Sequence, residues 1–168
     1  MPPSRQDVVL PPPRPWGMVR NMQSSTPAPS QSPSRPVLGV SVSVWRDGQV
    51  LLVKRGKAPS KGLWAPVGGR VEWGETLIEA AIREVREETA VTCEIAGFSQ
   101  LREMIRPDGD TSGHHVVLAV FAARWITGEA TAGDDADAVA WVDFDALSRY
   151  DLIEGVIPYI AATRALIV

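Results

Sequence analysis

The sequence predicts an α/β domain, and three observations predict it. Two strand-like hydrophobic runs, 37–46 and 49–55, flank the turn dipeptide Asp47-Gly48. A capped amphipathic helix follows over 77–89, free of Gly and Pro. The chain then returns to apolar strand-like runs and closes with a short helical segment at 155–166. Strands gathered around one helix, with a second helix at the end, belong to the α/β class.

The chain of 168 residues is long enough for one domain, and at 45% hydrophobic it can bury a core. Its net charge of −3 argues against a nucleic-acid surface. No apolar run reaches membrane-spanning length. One cysteine, Cys93, rules out an intrachain disulfide and points to a reducing, cytoplasmic setting.

Residues 1–36 hold ten of the fourteen prolines and few apolar residues, the composition of a disordered tail. Four arginines against the single Asp7 faintly resemble an organellar leader, but the prolines would break the helix such a leader needs. The PPPRP run at 11–15 is either a spacer or a ligand for a polyproline-reading domain, and Met18 and Met22 offer later starts. The folded domain is therefore expected over 37–168.

Val37 to Arg46 alternates as a strand, and Gln49 to Arg55 returns, with Val50 to Val53 apolar enough for burial on both faces. A loop at 56–62 carries Lys57 and Lys61, which with Lys54 and Arg55 make a basic cluster suited to a polyanion. Lys57 and Lys61 read more simply as solvated lysines. Gly68-Gly69 follows, where backbone and ligand can approach closely. Trp64 and Trp73 flank that pair; each is a packing residue or a surface for a base.

Thr76 and Glu79 form a capping box. Around the helix, Leu77, Ile78, Ala81, Ile82 and Val85 share a core-facing arc, and Glu79, Arg83 and Arg86 face water. Glu84, Glu87 and Glu88 fall at the edge of the apolar arc. Two like charges about 4 Å apart repel by roughly 4 kcal/mol at an effective dielectric near 20. Burial adds to that. Either their pKa values rise or cations neutralise them, and clustered oxygens suit a hard cation such as Mg²⁺ or Mn²⁺. The plain alternative is a solvated face laced by i,i+4 pairs.

Beyond the helix, 91–105 reads as one long or broken strand, 107–113 as a turn, and 115–125 as a strongly apolar strand. His114 and His115 face opposite sides of it and make no metal pair. An acidic loop from 128 leads to a strand at 139–144. Asp145 begins a short helix, and Pro158 is expected to interrupt the closing one.

The stretch GRVEWGETLIEAAIREVREETAV, 69–91, resembles the signature box of the Nudix hydrolases. Gly69, Glu75, Arg83, Glu84, Val85, Glu87, Glu88 and Val91 match its pattern; Ala90 stands where the family has Gly. A left-handed Ala there would cost about 1–2 kcal/mol. Before the box, Pro66-Val67-Gly68-Gly69 replaces the family's Pro-Gly-Gly. The resemblance implies the Nudix fold, a mixed β-sheet sandwiched between α-helices. It implies hydrolysis of a diphosphate linkage between a nucleoside and another group.

The same resemblance implies a metal set of Glu84, Glu87, Glu88 and the Gly68 carbonyl, with Glu75 and Arg83 orienting it. Glu84 is expected as the base that takes the proton of water, with Asp135 or its neighbour Asp134 as rival. Lys54, Arg55 and Trp73 are the expected substrate contacts. Pro107, sixteen residues past Val91, matches the ADP-ribose-cleaving branch, whose products are AMP and a sugar phosphate. The alternatives are a pool-sanitising nucleoside triphosphate pyrophosphohydrolase and, less favoured because the box glutamates are intact, a nucleotide-binding regulator without turnover. The expected partner is a small-molecule nucleotide, not nucleic acid or membrane, met by a monomer or homodimer.

Overall fold

The computed structural model describes residues 35–58, 60–106, 114–133 and 135–167. Three sequence expectations lie outside them: nearly all of the proline-rich tail, the turn with Pro107, and Asp134. Ser34–Val168 forms one compact unit.

The elements in order are β1 (Val37–Arg46), β2 (Gln49–Arg55), β3 (Trp64–Ala65), β4 (Val67–Arg70), α1 (Leu77–Thr89), β5 (Thr92–Arg106), β6 (His114–Thr127), β7 (Ala136–Asp143), a 3₁₀ helix (Phe144–Arg149) and α2 (Val156–Arg164). The sheet runs β3-β2-β1-β6-β5, with β4 also beside β1 and β7 beside β2. It is mixed: β1 is parallel to β6 and antiparallel to β2 and β4. The β1–β2 hairpin turns at Asp47 and Gly48, both at positive φ (50° and 83°), as a type I′ turn requires.

Alternation along the strands builds two cores. Val40, Val42, Val44, Leu51 and Val53 face α1 and meet Ala80, Ala81 and Val85. Trp45, Val50 and Leu52 face the other way, onto Val156, Tyr159 and Ile160 of α2. The sheet is thus sandwiched between the two helices, as the α/β reading expected.

Several expectations need correction. The stretch 64–70, given no element from the sequence, is two short strands, because β1 and β2 pair with it across the chain. Pro66 separates them, and no local period announces so short a pair. Ile78 and Ile82 are exposed rather than core-facing; Ala80 and Thr89 are buried instead. Arg83, expected in water, is partly buried as well. β7 begins at Ala136 rather than Val139, since β2 pairs along its whole length. Pro158 does not interrupt α2: it lies in the first turn, where an N–H would find no helical partner anyway.

Candidate active site

The acidic end of α1 is fixed from both sides. At its start the predicted capping box forms: Thr76 Oγ1 accepts from the Glu79 N–H, and a Glu79 carboxylate oxygen accepts from the Thr76 N–H at 2.8 Å. At its end Ala90 is left-handed, φ 57°, with its N–H bonded to the Arg86 carbonyl. The strain expected of Ala at this position is therefore present. The loop before β7 docks on the freed carbonyls: Thr131 N–H donates to Thr89 O and Gly133 N–H to Glu88 O, both at 2.9 Å. That docking carries Asp135 to the helix.

Arg83 is the hub of the box. It donates to both Glu75 oxygens (Nη2 at 2.7 Å, Nε at 3.0 Å), to Glu84 at 2.9 Å, to Glu87 at 3.2 Å and to the Arg70 carbonyl at 3.0 Å. The Arg83 hydrogen bond holds the Glu75 carboxyl below its usual range, and these acids hold the Arg83 guanidinium firmly protonated.

Glu84 and Glu88 point into a cleft of about 360 Å³ lined also by Arg55, Lys57, Gly68, Gly69, Arg70 and Asp135. Burial raises the Glu84 pKa against the pull of Arg83. Glu88 is pushed up to about 7, first by burial and then by the Glu84 charge; the Gly68 N–H and Arg55 pull the other way. The glycine pair makes room for this. A Cβ on Gly69 would land on the Glu84 carboxylate, and one on Gly68 would strike the Val40 carbonyl.

The expected site residues divide plainly. Brought together are Glu84, Glu88, Gly68, Arg55 and Asp135 in the cleft, with Glu75 and Arg83 directly behind them. Glu87 is exposed and turned to Arg83. Among the described residues no three acid, imidazole or thiol side chains stand close enough to hold a metal ion. Lys54 is not in the cleft: it alternates with Val53 and Arg55, so it leaves on the α2 side. Trp73 is fully exposed and outside the cleft lining, and Trp64 packs edge-on against Tyr150. One residue read more simply as a solvated lysine, and one not named from the sequence, also line the cleft. Lys57 lines the cleft and pairs with Asp135 across its mouth, and Arg70 lines it beside Gly69. Only the basic character of the 56–62 loop signalled Lys57; nothing local signalled Arg70.

A family model described as the NUDIX domain matches residues 35–162. An ADP-ribose pyrophosphatase of Methanocaldococcus jannaschii is 40% identical over 68% of this chain and 66% of its own length. A human protein described as 8-oxo-dGDP phosphatase NUDT18 is 31% identical over 73% of this chain and 38% of its own length. This chain thus spans less than two thirds of either relative. Among solved structures, a MutT NUDIX hydrolase from Burkholderia pseudomallei superposes with TM-score 0.65 at 30% identity, covering 77% of this chain and 98% of its own.

Proposed function

The chain belongs to the NUDIX family, and from that premise we propose that it hydrolyses the diphosphate linkage of an ADP-sugar, with ADP-ribose giving AMP and a sugar phosphate. The observation that carries the reading is the half-sheltered Glu84–Glu88 pair facing Arg55 and Lys57 across one cleft. Such a cleft offers cations to a diphosphate and carboxylates to whatever neutralises them. The 40% identity to an archaeal ADP-ribose pyrophosphatase supports the substrate class.

The donor chemistry fits a divalent cation: carboxylate oxygens kept partly from water, with Glu88 raised to about 7 by burial and by the neighbouring Glu84 charge. Glu84, Glu88 and the Gly68 carbonyl would hold it, and Glu87 would exchange its bond to Arg83 for the ion. Bound there, Mg²⁺ or Mn²⁺ would withdraw charge from the diphosphate oxygens. Glu84 accepts the proton of the attacking water, and Arg83, itself held by Glu75, keeps that carboxylate aimed and offsets part of the effect of its burial. Asp135 is the weaker base candidate, because Lys57 already occupies it. Arg55 and Lys57 balance the charge of the substrate; Lys54 and Trp73 have no part.

A second reading is a pool-sanitising enzyme acting on a free nucleotide, which the printed name of the human relative supports. Product analysis separates the two. Release of AMP from ADP-ribose favours the first; nucleoside monophosphate released with phosphate from a nucleoside diphosphate, or with diphosphate from a triphosphate, favours the second. With Mg²⁺ present, Glu84→Gln and Glu88→Gln are expected to fold and to lose at least about 100-fold in rate. Turnover equal to the parent in both variants would overturn the site.

A further inference from the structure

Two loops meet at the lip of the cleft, and their meeting is fixed by the backbone. β2 and β7 are neighbours whose ladder ends where Arg55 faces Ala136, just after a bulge that leaves Asp137 with no facing residue on β2. One further bond lies beyond it: Gly56 N–H donates to the Asp135 carbonyl at 3.0 Å. Only a glycine allows this approach, because a Cβ at Gly56 would come within 2.9 Å of Asp137 Oδ1 and 3.1 Å of that same carbonyl. The 56–62 loop is closed by Gly62 N–H on the Arg55 carbonyl at 2.7 Å. The other loop is docked on the end of α1, and Ala136 N–H returns to the Gly133 carbonyl at 3.1 Å. The chain around Lys57 and Asp135 is thus set by bonds that neither side chain makes.

The side chains are held far more loosely. Lys57 and Asp135 pair with each other, and both line the cleft. They are 68% and 57% exposed, whereas Arg83 and Glu75 behind the cleft are 23% and 15% exposed. The forked, sheltered Arg83–Glu75 pair is built to stay. An ion pair in water is weak, and the long lysine stem swings easily to another anion. By charge, Asp135 is also out of place. A carboxylate at the lip of a cleft that admits a polyanion repels it, and Asp135 lacks the shelter that Glu84 has. What it does achieve is to hold the Lys57 ammonium at the cleft before any substrate arrives.

We propose that Asp135 is a stand-in for substrate phosphate: its carboxylate holds Lys57 at the lip of the empty cleft and yields it to the diphosphate when substrate enters. This exchange rests on the diphosphate reading of the cleft. Its consequence has a definite sign. Substrate must displace a carboxylate to reach Lys57, so Asp135 lowers the affinity of the cleft it lines, and does so only through Lys57. An Asp135 that held the metal would act in the opposite sense, since its loss would weaken binding.

The probe is methylenediphosphonate, a diphosphate analogue that resists hydrolysis and carries no nucleoside, titrated by calorimetry into the full chain at fixed Mg²⁺. Lys57→Met is expected to weaken its binding about tenfold, the scale of a charge-assisted hydrogen bond. Asp135→Asn is expected to tighten it about three- to fivefold, the scale of an exposed ion pair. Made together with Lys57→Met, Asp135→Asn should change nothing further, because the pair is already gone. Asp135→Glu keeps a carboxylate and should bind close to the parent. Each variant alters an exposed side chain and spares the backbone bonds, so circular dichroism should be unchanged.

Asp135→Asn that binds no more tightly than the parent overturns the proposal. So does a gain that persists in full beside Lys57→Met, since that is plain repulsion of an anion and not exchange. Turnover of ADP-ribose by the parent separates this from the reading beneath it. A parent that turns over while its diphosphonate affinity ignores Asp135 removes the exchange and leaves the hydrolase standing. A parent that neither turns over ADP-ribose nor binds the diphosphonate overturns both.

Discussion

The two faces of one sheet are built by different rules. On the α2 side, Val156, Ile160, Leu147, Val50, Leu52 and Val142 interlock, all nearly inaccessible to water. Ser41, Ser43 and Thr163 are also buried on that side; the Trp45 indole N–H donates to Thr163 Oγ1, which donates in turn to the Ile160 carbonyl, and the Ser43 hydroxyl has no partner among the described residues. On the α1 side the core is equally tight around Ala80, Ala81 and Val85, but its β4 border holds carboxylates against burial. That face also holds a left-handed alanine, and it depends on two glycines where no side chain fits. Nothing in folding alone calls for these features together. Sheltered carboxylates, a left-handed alanine and two tight glycines gathered at one border mark where the fold spends stability on a site.

The contrast makes the faces separable by mutation. The largest effect is expected for Glu84→Gln and Glu88→Gln, with turnover down by at least about 100-fold and a cooperative unfolding transition retained. Ile160→Ala inverts this. It should cost about 2–5 kcal/mol in denaturant unfolding, while the kcat of the protein that remains folded stays at the parent value. If Ile160→Ala lowered kcat as far as the glutamate variants, the two faces would not be independent.

Glu88 sharpens the comparison further. Its folded pKa of about 7 lies above the ordinary 4.5, so between those values the native state holds a proton that the unfolded chain has lost. Stability from this group is complete below pH 4.5 and is lost as pH rises through 7. In metal-free buffer, Glu88→Gln should therefore be stabilised relative to the parent at pH 8 by about 1–3 kcal/mol and be near neutral at pH 5. Thermal unfolding at the two pH values reads this directly; a difference independent of pH would remove the buried charge from the account. The smallest effect belongs to Ala90→Gly, expected to raise stability by about 1 kcal/mol without changing kcat, because only the left-handed strain is relieved.

The box was legible because its chemistry is local. Glu84 and Glu88 lie on the helix that Thr76 and Glu79 cap, so spacing alone put them at the edge of its apolar arc; Arg83, which spacing put in water, is the exception, and a left-handed residue 90 was suggested only by the family pattern. Lys54 misled because basic character says nothing about which way a strand residue points; the pairing of β2 with β3 and β7 decides that. Lys57 was read more simply as a solvated lysine, and Arg70 was not named, for the same reason, since each reaches the cleft from a different strand connection.

By itself, then, the chain order determined the α1 helix and its caps, the β1–β2 hairpin and the family pattern, all governed by contacts within a few residues. The tertiary structure decided which glutamates turn inward, which cations face them, and that Ile78 and Ile82 stay in solvent. Those outcomes depend on how closely α1 sits against β4 and on where the 128–135 loop docks. They rest on pairings between strands far apart in the chain, for which no local period leaves a trace.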